Sequence, residues 1–176
     1  MGDAGDKVSD DLCADMYHQA DRVLTENGYI HYETSSYALE DKYVSQHNTA
    51  YWTRIPYIGI GPSAHSFDGT RRTWNHSDSA LYESCVIRGD SPVESGEDLS
   101  GENCAHEILS LGFRHRGGID LDELRRAGYT LDCGELLGTG MVSQVNNHLI
   151  PDANGMLFAD SLALQAAELL AKVDGV

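Results

Sequence analysis

Apolar residues near the start of the chain recur at the spacing of an α-helix. They lie between positions 12 and 24, where this period places them on one helix face. Ser9 is a suitable N-cap, and Asn27-Gly28 is a common left-handed helix stop. Residues 29–33 follow directly, and their aromatic and β-branched side chains predict a strand. A helix, a glycine turn and a strand in this order are typical of α/β proteins.

The next part of the chain combines polar stretches with short extended patterns. Residues 34–48 are polar and lack a clear period, so they predict irregular structure. Residues 57–60 predict a second buried strand, and a turn at Asp68-Gly69 separates two further extended stretches. A helix with an apolar face is predicted to begin at Ser77.

The remainder of the chain predicts a linker followed by a small, mainly helical domain. Asp120 and Glu123 form a capping box for one short helix. The other predicted elements are helices over 99–112, 131–138 and 160–172 and a hairpin of residues 141–145 and 148–150. Three helices and a hairpin resemble a winged helix. The chain is therefore predicted to divide into a disordered N-terminus (1–8), an α/β domain (9–90), a linker (91–98) and a helical α+β domain (99–176).

The charge of the chain argues against a nucleic-acid partner. The formal net charge is -16, and residues 95–176 contain five Lys or Arg against thirteen Asp or Glu. Phosphate contacts supply most of the affinity for DNA, and they need clustered Lys and Arg. We therefore expect the winged-helix-like domain to be a structural or contact module.

The lengths of the apolar runs and the spacing of the cysteines indicate the cellular compartment of the protein. No apolar run reaches the roughly 18 to 20 residues that a bilayer span needs, and the N-terminus has no signal-peptide pattern. We expect no transmembrane segment and a cytoplasmic location. The cysteines at 13, 85, 104 and 133 form no CxxC or CxxxCxxC spacing, so we expect reduced thiols packed mostly in helices.

Residues 47–75 hold the densest candidate chemistry of the chain. Aliphatic residues fill a core without polar atoms to satisfy, so histidine, indole, phenol and paired glycines in one stretch indicate a site. Gly59-x-Gly61-x-x-Ala64 also matches the dinucleotide-binding fingerprint. That match is misleading, because Pro62 and the extended chain after it do not open the helix that a pyrophosphate needs.

Four ordered motifs carry a family resemblance. They are Tyr32-Glu33-Thr34-Ser35-Ser36-Tyr37-Ala38, His47-Asn48-x-x-Tyr51-Trp52, Tyr57-x-Gly59-x-Gly61-x-x-Ala64-His65-Ser66 and Arg72-x-x-Asn75. This series resembles the oxygen-independent coproporphyrinogen III oxidase-like radical SAM proteins, and more narrowly their HemW-type heme chaperone branch. Residues 107–114 and 117–119 are similar to the start of that family's C-terminal domain. The resemblance covers the chain from residue 9 onward and only the C-terminal half of the family.

The resemblance implies a fold and a set of cofactors. Residues 9–90 would form the C-terminal part of a TIM-like radical SAM β/α barrel, and residues 99–176 a HemN-type C-terminal domain. Intact members bind S-adenosylmethionine and a [4Fe-4S] cluster held by a CxxxCxxC loop. This chain lacks that motif, so we expect no radical chemistry from it alone. Two positions also depart from the family's pattern. Ser36 stands where the family usually has Asn, and Ser63 stands at its second small glycine position.

The resemblance further implies that the HNxxYW segment binds heme. Neutral imidazole is a common axial ligand, so His47 would ligate the heme iron. Tyr51 and Trp52 would lie beside the porphyrin, and Asn48 would orient the imidazole. The alternative is that His47 and Asn48 satisfy loop backbone groups while Trp52 plugs the end of the barrel.

Other residues would lie on the S-adenosylmethionine side of the barrel. They are Glu33, Gly59, Gly61, Ala64 and His65. Alternatively, Glu33 is solvated or paired with arginine, and the glycines ease a strand end. Arg72 would bind a porphyrin propionate, or it pairs with one of the 28 acidic residues of the chain, which is the alternative we favour.

Three functions remain open from the sequence. The leading hypothesis is the C-terminal portion of a HemW-like chaperone that binds heme for delivery to heme proteins. The alternatives are a fragment of an oxygen-independent coproporphyrinogen III oxidase of porphyrin biosynthesis and a ligand-free acidic interaction module. Residues 9–90 offer too few strands for the roughly six to eight of a closed barrel. We therefore also expect a homodimer through exposed strand edges.

Overall fold

The computed structural model describes residues 8–173, so the disorder predicted for residues 1–7 lies outside the described residues. The helices are α1 (Asp10–Glu26), α2 (Gln46–Trp52), α3 (Ser79–Arg88), α4 (Glu102–Gly112), α5 (Leu121–Arg126), α6 (Gly134–Gly138), α7 (Ala153–Leu157) and α8 (Ala159–Glu168). The strands are β1 (Ile30–Glu33), β2 (Ser36–Ala38), β3 (His65–Phe67), β4 (Arg71–Asn75), β5 (Val93–Asp98), β6 (Ile119–Asp120), β7 (Tyr129–Leu131), β8 (Val142–Val145), β9 (His148–Pro151) and β10 (Leu170–Lys172). A short 3-10 turn spans Asp41–Tyr43.

Every strand pair within residues 8–173 is antiparallel. The sheets have the orders β1-β2, β3-β4-β5, β6-β9-β8 and β7-β10. The mixed α/β class is confirmed, but the barrel segment predicted over 9–90 does not appear in this pairing. A barrel needs parallel neighbours joined by long crossovers, whereas β1 and β3 each turn back within a few residues onto the next strand.

The first helix and its caps form as predicted. The Ser9 side chain accepts a 3.2 Å hydrogen bond from the backbone N–H of Leu12, and Gly28 has a φ of 84°. The predicted strand then forms as β1. Residues 34–48 are wrongly predicted as irregular, because they contain β2, the 3-10 turn and the start of α2.

The strand predicted at residues 57–60 is wrong. Only Tyr57 pairs there, through two 2.9 Å backbone hydrogen bonds with Phe67. The side chains of Ile58 and Ile60 are 85% and 88% exposed. A short apolar run does not distinguish a buried strand from an extended segment that lacks a continuous partner.

Two segments of the second half also differ from their prediction. Residues 91–98 were predicted as a linker, but β5 pairs with β4 along its length, from Arg71 opposite Asp98 to Asn75 opposite Val93. The helix predicted over 160–172 ends at Glu168, after which β10 pairs with β7. The predicted hairpin of β8 and β9 is confirmed. The helix expected over 131–138 is shorter and begins at Gly134.

The hydrophobic core lies in the C-terminal half of the chain. The largest fully buried side chains are Phe113, Leu109, Ile119, Leu124, Leu136, Leu149 and Leu162. Phe113 directly follows α4, and the others come from α4, α5, α6, α8 and the sheet that contains β6. By contrast, α1 buries none of its residues, and Leu12, Met16 and Val23 are all exposed.

The cysteines lie mostly in helices, as predicted. All four are free thiols; Cys13, Cys85 and Cys104 lie in helices, and Cys133 directly precedes α6. Within residues 8–173, none of the helices combines the length and the apolar character needed to cross a bilayer.

Candidate functional site

The HNxxYW segment is a capped helix rather than a loop. The side chain of Ser45 accepts a 3.3 Å hydrogen bond from the backbone N–H of Asn48 and so caps α2. Residues four apart share a helix face. The segment therefore presents His47 with Tyr51 on one face and Asn48 with Trp52 on the adjacent face.

The carboxylate of Glu33 fixes the second of these faces. Glu33 is buried at the end of β1, with 5% of its surface exposed. It accepts hydrogen bonds from Ser36 Oγ at 2.6 Å, Asn48 Nδ2 at 2.9 Å and Trp52 Nε1 at 2.5 Å. Burial alone raises the pKa of Glu33, but these three donors outweigh that effect and lower the pKa below its ordinary value. The carboxylate thus ties α2 to the β1-β2 hairpin.

The first face of α2 is open to solvent. The exposed His47 ring lies 4.8 Å from the Tyr51 ring in an edge-on contact, and its Nδ1 is 3.4 Å from Asn48 Oδ1. Tyr51 in turn lies 4.5 Å from the Tyr57 ring. Within residues 8–173, Nε2 of His47 has no hydrogen-bond partner. The free ring nitrogen of an exposed imidazole can bind a metal ion from outside the chain.

The paired glycines are held against β3 and β4. A Cβ on Gly59 would stand 2.1 Å from the carbonyl oxygen of His65, so only glycine fits there. The backbone N–H of Gly59 donates to Ser66 Oγ at 2.9 Å. The buried Asn75 donates to the carbonyl of Gly61 at 2.9 Å, and Gly61 has a φ of 114°. These contacts give the glycines a structural role in this chain.

Ala64, His65 and Ser66 lie where the glycine segment enters β3. Ser66 points toward Gly59, whereas His65 is exposed and lies 5.7 Å from the Trp74 ring. The two neighbours therefore point to opposite faces, as the alternation of a strand predicts. The half-buried Ala64 donates its backbone N–H to the carbonyl of Gly61 at 3.3 Å.

Arg72 is paired within the chain. It forms ion pairs with Glu107 and, at 3.2 Å, with Glu97. Pairing with acidic residues was the favoured alternative from the sequence, and the structure shows it. Arg72 is therefore not a free cation for a propionate.

Arg54, which shares Glu107 with Arg72, was not predicted from the sequence as a site residue. The Arg54 side chain is buried and pairs with Glu107 and, at 3.3 Å, with Glu123. Its guanidinium also lies 5.2 Å from the centre of the Phe67 ring. An arginine in a polar stretch carries no local sign of burial, since its partners are more than fifty residues away.

A groove of about 660 Å³ opens next to the exposed aromatic rings. Tyr57, Ile58, Phe67 and Arg71 contribute to its lining. The Tyr57 and Phe67 rings are 6.2 Å apart. Phe67 lies opposite Arg72 in the β3-β4 pairing, and its ring contacts the guanidinium groups of Arg72 and Arg54. Its ring therefore lies on the other face of the sheet from Arg71.

A second cavity of about 300 Å³ lies behind α2 and includes two histidines. Trp52, His115, His148 and Asp120 are among its lining residues. Neither His115 nor His148 belongs to a sequence motif, so no role was predicted for them. Burial lowers the pKa of His115 to about 4; nearby His148 adds to this effect, and Glu33 opposes it.

The donor set of this chain does not fit a [4Fe-4S] cluster. Such a cluster needs several thiolates around one site. Here Cys13, Cys85, Cys104 and Cys133 belong to different parts of the fold. Residues 8–173 contain no group of three or more His, Cys, Asp or Glu side chains that could hold a metal ion.

Comparison with known proteins identifies similar sequences. No protein-family model matches the chain. The chain is 28% identical over 153 residues to the heme chaperone HemW of Mycobacterium tuberculosis. This match covers 87% of the chain and 39% of that protein. It is 31% identical over 145 residues to the mitochondrial radical S-adenosyl methionine domain-containing protein 1 of Danio rerio, covering 82% of this chain and 29% of that protein. The chain thus spans about two fifths or less of these relatives.

A solved structure shows the same fold. The radical SAM enzyme coproporphyrinogen III oxidase (HemN) from Escherichia coli matches with a TM-score of 0.64 and 16% identity, over 92% of this chain and 42% of that one. At this identity the likeness concerns the fold. The chain is therefore a HemW/HemN-like member of the radical SAM family and corresponds to the C-terminal part of such proteins.

Proposed function

We propose that the chain binds heme on the exposed face of α2, with His47 as an axial ligand to the iron. In this proposal it serves as the heme-binding part of a HemW-type chaperone that delivers heme to heme proteins. The relatives named heme chaperone favour a chaperone function over an oxidase function, because the likeness to the oxidase concerns the fold alone. The winged-helix-like order of α4, α5, α6 and the β8-β9 hairpin would act as a contact module.

The two-faced arrangement of α2 is the observation that carries the proposal. Asn48 and Trp52 are tied to the buried Glu33, and this fixes the rotation of the helix. That rotation leaves His47 and Tyr51 exposed next to one another. A ligand site needs side chains held by a supporting layer of contacts, and Glu33 supplies such a layer here.

The contact between His47 and Asn48 suits iron ligation. A proton on Nδ1 of His47 would be directed at Asn48 Oδ1, which lies 3.4 Å away. The lone pair would then be on Nε2, the nitrogen without a partner in the described residues. Tyr51 would offer a flat surface next to the porphyrin. We place Gly59, Gly61, Ala64 and His65 on the side that would face S-adenosylmethionine in intact relatives. Glu33 would affect the heme site indirectly, by holding α2 in place.

Titration with hemin tests this function. Adding hemin to the full chain should shift the Soret band, and His47→Ala should abolish that shift. His18→Ala is the matched control, because His18 is also exposed on a helix and next to an aromatic ring, that of Tyr17 at 5.7 Å. This control should behave like the wild type. An unchanged Soret band in the wild type would contradict the proposal and favour a ligand-free module.

A further inference from the structure

We infer that a groove between α4 and α8 docks a basic amphipathic helix of a partner protein. This docking rests on the contact role that the proposed function gives to the C-terminal half of the chain, and it requires no heme. The α4-α8 groove has a volume of about 440 Å³. Its lining consists of His106 and Ser110 from α4 and of Asp160, Ala163, Leu164 and Ala167 from α8.

Small side chains on α8 make room for a second helix in the α4-α8 groove. Ala163 and Ala167 are both partly buried and lie four residues apart, so they share one face of α8. Leu164 stands beside them and is 72% exposed. When helices pack, a ridge of side chains on one helix enters a groove on the other. The α4-α8 groove therefore suits a helix that presents an apolar face.

Acidic residues flank the exposed leucine along α8. Asp160, Leu164 and Glu168 follow one another at intervals of four residues, and all three are exposed. Asp160 pairs with Arg114, but its side chain remains 80% exposed. Within residues 8–173, Glu168 forms no ion pair. A partner helix with cations on either side of its apolar face would match this pattern of charge.

The end of α8 also favours a cation from the partner. The last turn of α8 contains no basic residue. The carbonyl groups at the C-terminal end of a helix carry partial negative charge, and the carboxylate of Glu168 adds to it. Asp160 and Glu168 are eight residues apart, which corresponds to about 12 Å along the helix. Two Lys or Arg side chains about two helical turns apart on the partner would reach both carboxylates.

A second copy of this chain fits the α4-α8 groove less well than a basic partner does. The helix that exposes apolar side chains in this chain is α1, and its first turn contains Asp10 and Asp11. The last turn of α1 contains no basic residue. Docking α1 in the groove would therefore bring like charges together at Asp160 and Glu168. The net charge of -16 likewise favours a basic partner.

A fluorescein-labelled amphipathic peptide of Leu and Lys tests the docking. The peptide is about 18 residues long, because shorter isolated helices are marginally stable. Its fluorescence anisotropy is followed as the full chain is added without hemin, at about 0.15 M salt. Leu164→Gln should weaken binding about tenfold, because this side chain would be buried in the complex. Leu137→Gln is the matched control, since Leu137 is an exposed leucine on α6, and it should bind like the wild type.

The charge of the groove is tested separately. A peptide with Glu in place of every Lys should not bind. Glu168→Gln should weaken binding of the Lys peptide about threefold, as expected for an exposed charge pair. Glu135→Gln, at an exposed glutamate of α6, should leave binding unchanged. Thermal melts should show that all variants fold.

Three results would overturn the docking of a basic helix. The first is a wild type that does not raise the anisotropy of the Lys peptide. The second is Leu164→Gln binding as tightly as the wild type, which would indicate non-specific attraction to the acidic surface. The third is a dimer that forms without peptide and is lost in Leu164→Gln, which would assign the groove to a second copy. None of these results alters the hemin titration, so heme binding stands or falls on its own test.

Discussion

Glu33 is the residue on which the geometry of the candidate site depends. From the sequence it resembled a ligand-binding carboxylate at the end of a strand. In the structure both of its oxygens are occupied by donors of the same chain. Those donors include Asn48 and Trp52, so half of the HNxxYW segment supports the site and the other half faces outward.

Replacing Glu33 should therefore affect stability and binding together. In Glu33→Gln an amide NH₂ would face one of the indole and amide donors, leaving a buried donor unpaired. We expect the free energy of unfolding in urea to fall by about 2 to 3 kcal/mol. Hemin binding should weaken as well, because α2 would lose its fixed rotation. The control is Glu40→Gln, whose exposed pair with Lys42 should contribute at most about 1 kcal/mol. Equal stability of the two variants would contradict the role of Glu33.

His115 makes the stability of the fold depend on pH. Burial lowers its pKa to about 4 in the folded chain, whereas an unfolded histidine titrates near 6.5. The unfolded chain therefore binds this proton at higher pH than the folded chain does. Above about pH 6.5 the histidine has no effect, and between about pH 6.5 and 4 it should remove up to roughly 3 kcal/mol of stability.

Urea denaturation at pH 7.5, 6 and 5 measures this effect. In His115→Asn the amide oxygen can still accept the bond that His115 Nδ1 accepts from Gly117, at 3.0 Å. This variant should lose less stability than the wild type as the pH falls. His106→Asn, on an exposed position of α4, should keep the wild-type pH dependence. The assignment to His115 would be refuted if all three proteins followed the same curve.

At the scale of elements, local signals predicted helix ends and turns, whereas the pairing of strands was not predicted. The Ser9 cap, the Asp68-Gly69 turn and the β8-β9 hairpin depend on residues that are close in sequence. By contrast, β5 pairs with β4 across α3, and β10 pairs with β7, whose residues lie about forty positions earlier in the chain. Nothing in their own composition indicates such partners, so one was predicted as a linker and the other as a helix.

The same limit applies to the candidate site. Sequence motifs brought attention to His47 and Tyr51, which the structure leaves exposed and in contact. The supporting contacts could not be predicted, because Asn48 and Trp52 reach Glu33 across 15 and 19 residues. Neighbouring Arg71 and Arg72 are equivalent in the sequence. Only the sheet register places Arg71 at the groove that Tyr57 lines and Arg72 in a partly buried ion cluster with Glu107.

An ion cluster whose central carboxylate is largely buried connects β4 to α4. Glu107 pairs with both Arg54 and Arg72, and its side chain is only 10% exposed. Breaking a buried pair by removing one partner typically costs about 3 to 5 kcal/mol. We expect Glu107→Gln to lower the free energy of unfolding in urea by about this amount. Glu97→Gln is the matched control, because Glu97 pairs with the same Arg72 at 3.2 Å but is 49% exposed. A loss below about 1 kcal/mol in Glu107→Gln would refute the cluster as a stabilising contact.

At the scale of the whole molecule, the distribution of apolar surface is uneven. The C-terminal half contains a closed core, whereas α1 exposes Leu12, Met16 and Val23 on one side. Ile58 and Ile60 are also almost fully exposed. Soluble monomers rarely expose contiguous apolar patches of this kind, so such surfaces tend to associate. The sequence predicted a homodimer through strand edges, and the apolar face of α1 is a second surface for the same association.

Association through the strand edges and association through α1 can be told apart with variants. Sedimentation velocity over a range of concentrations should show dimers or larger species in the wild type, because exposed apolar area is removed from water on contact. If α1 forms the contact, the double variant Leu12→Gln and Met16→Gln should move the midpoint of association to higher concentration. Leu164→Gln is the control, since Leu164 is 72% exposed but lies on α8. An unchanged midpoint in the double variant would exclude α1 and leave the strand edges as the predicted contact, whereas a wild type that stays monomeric would refute both.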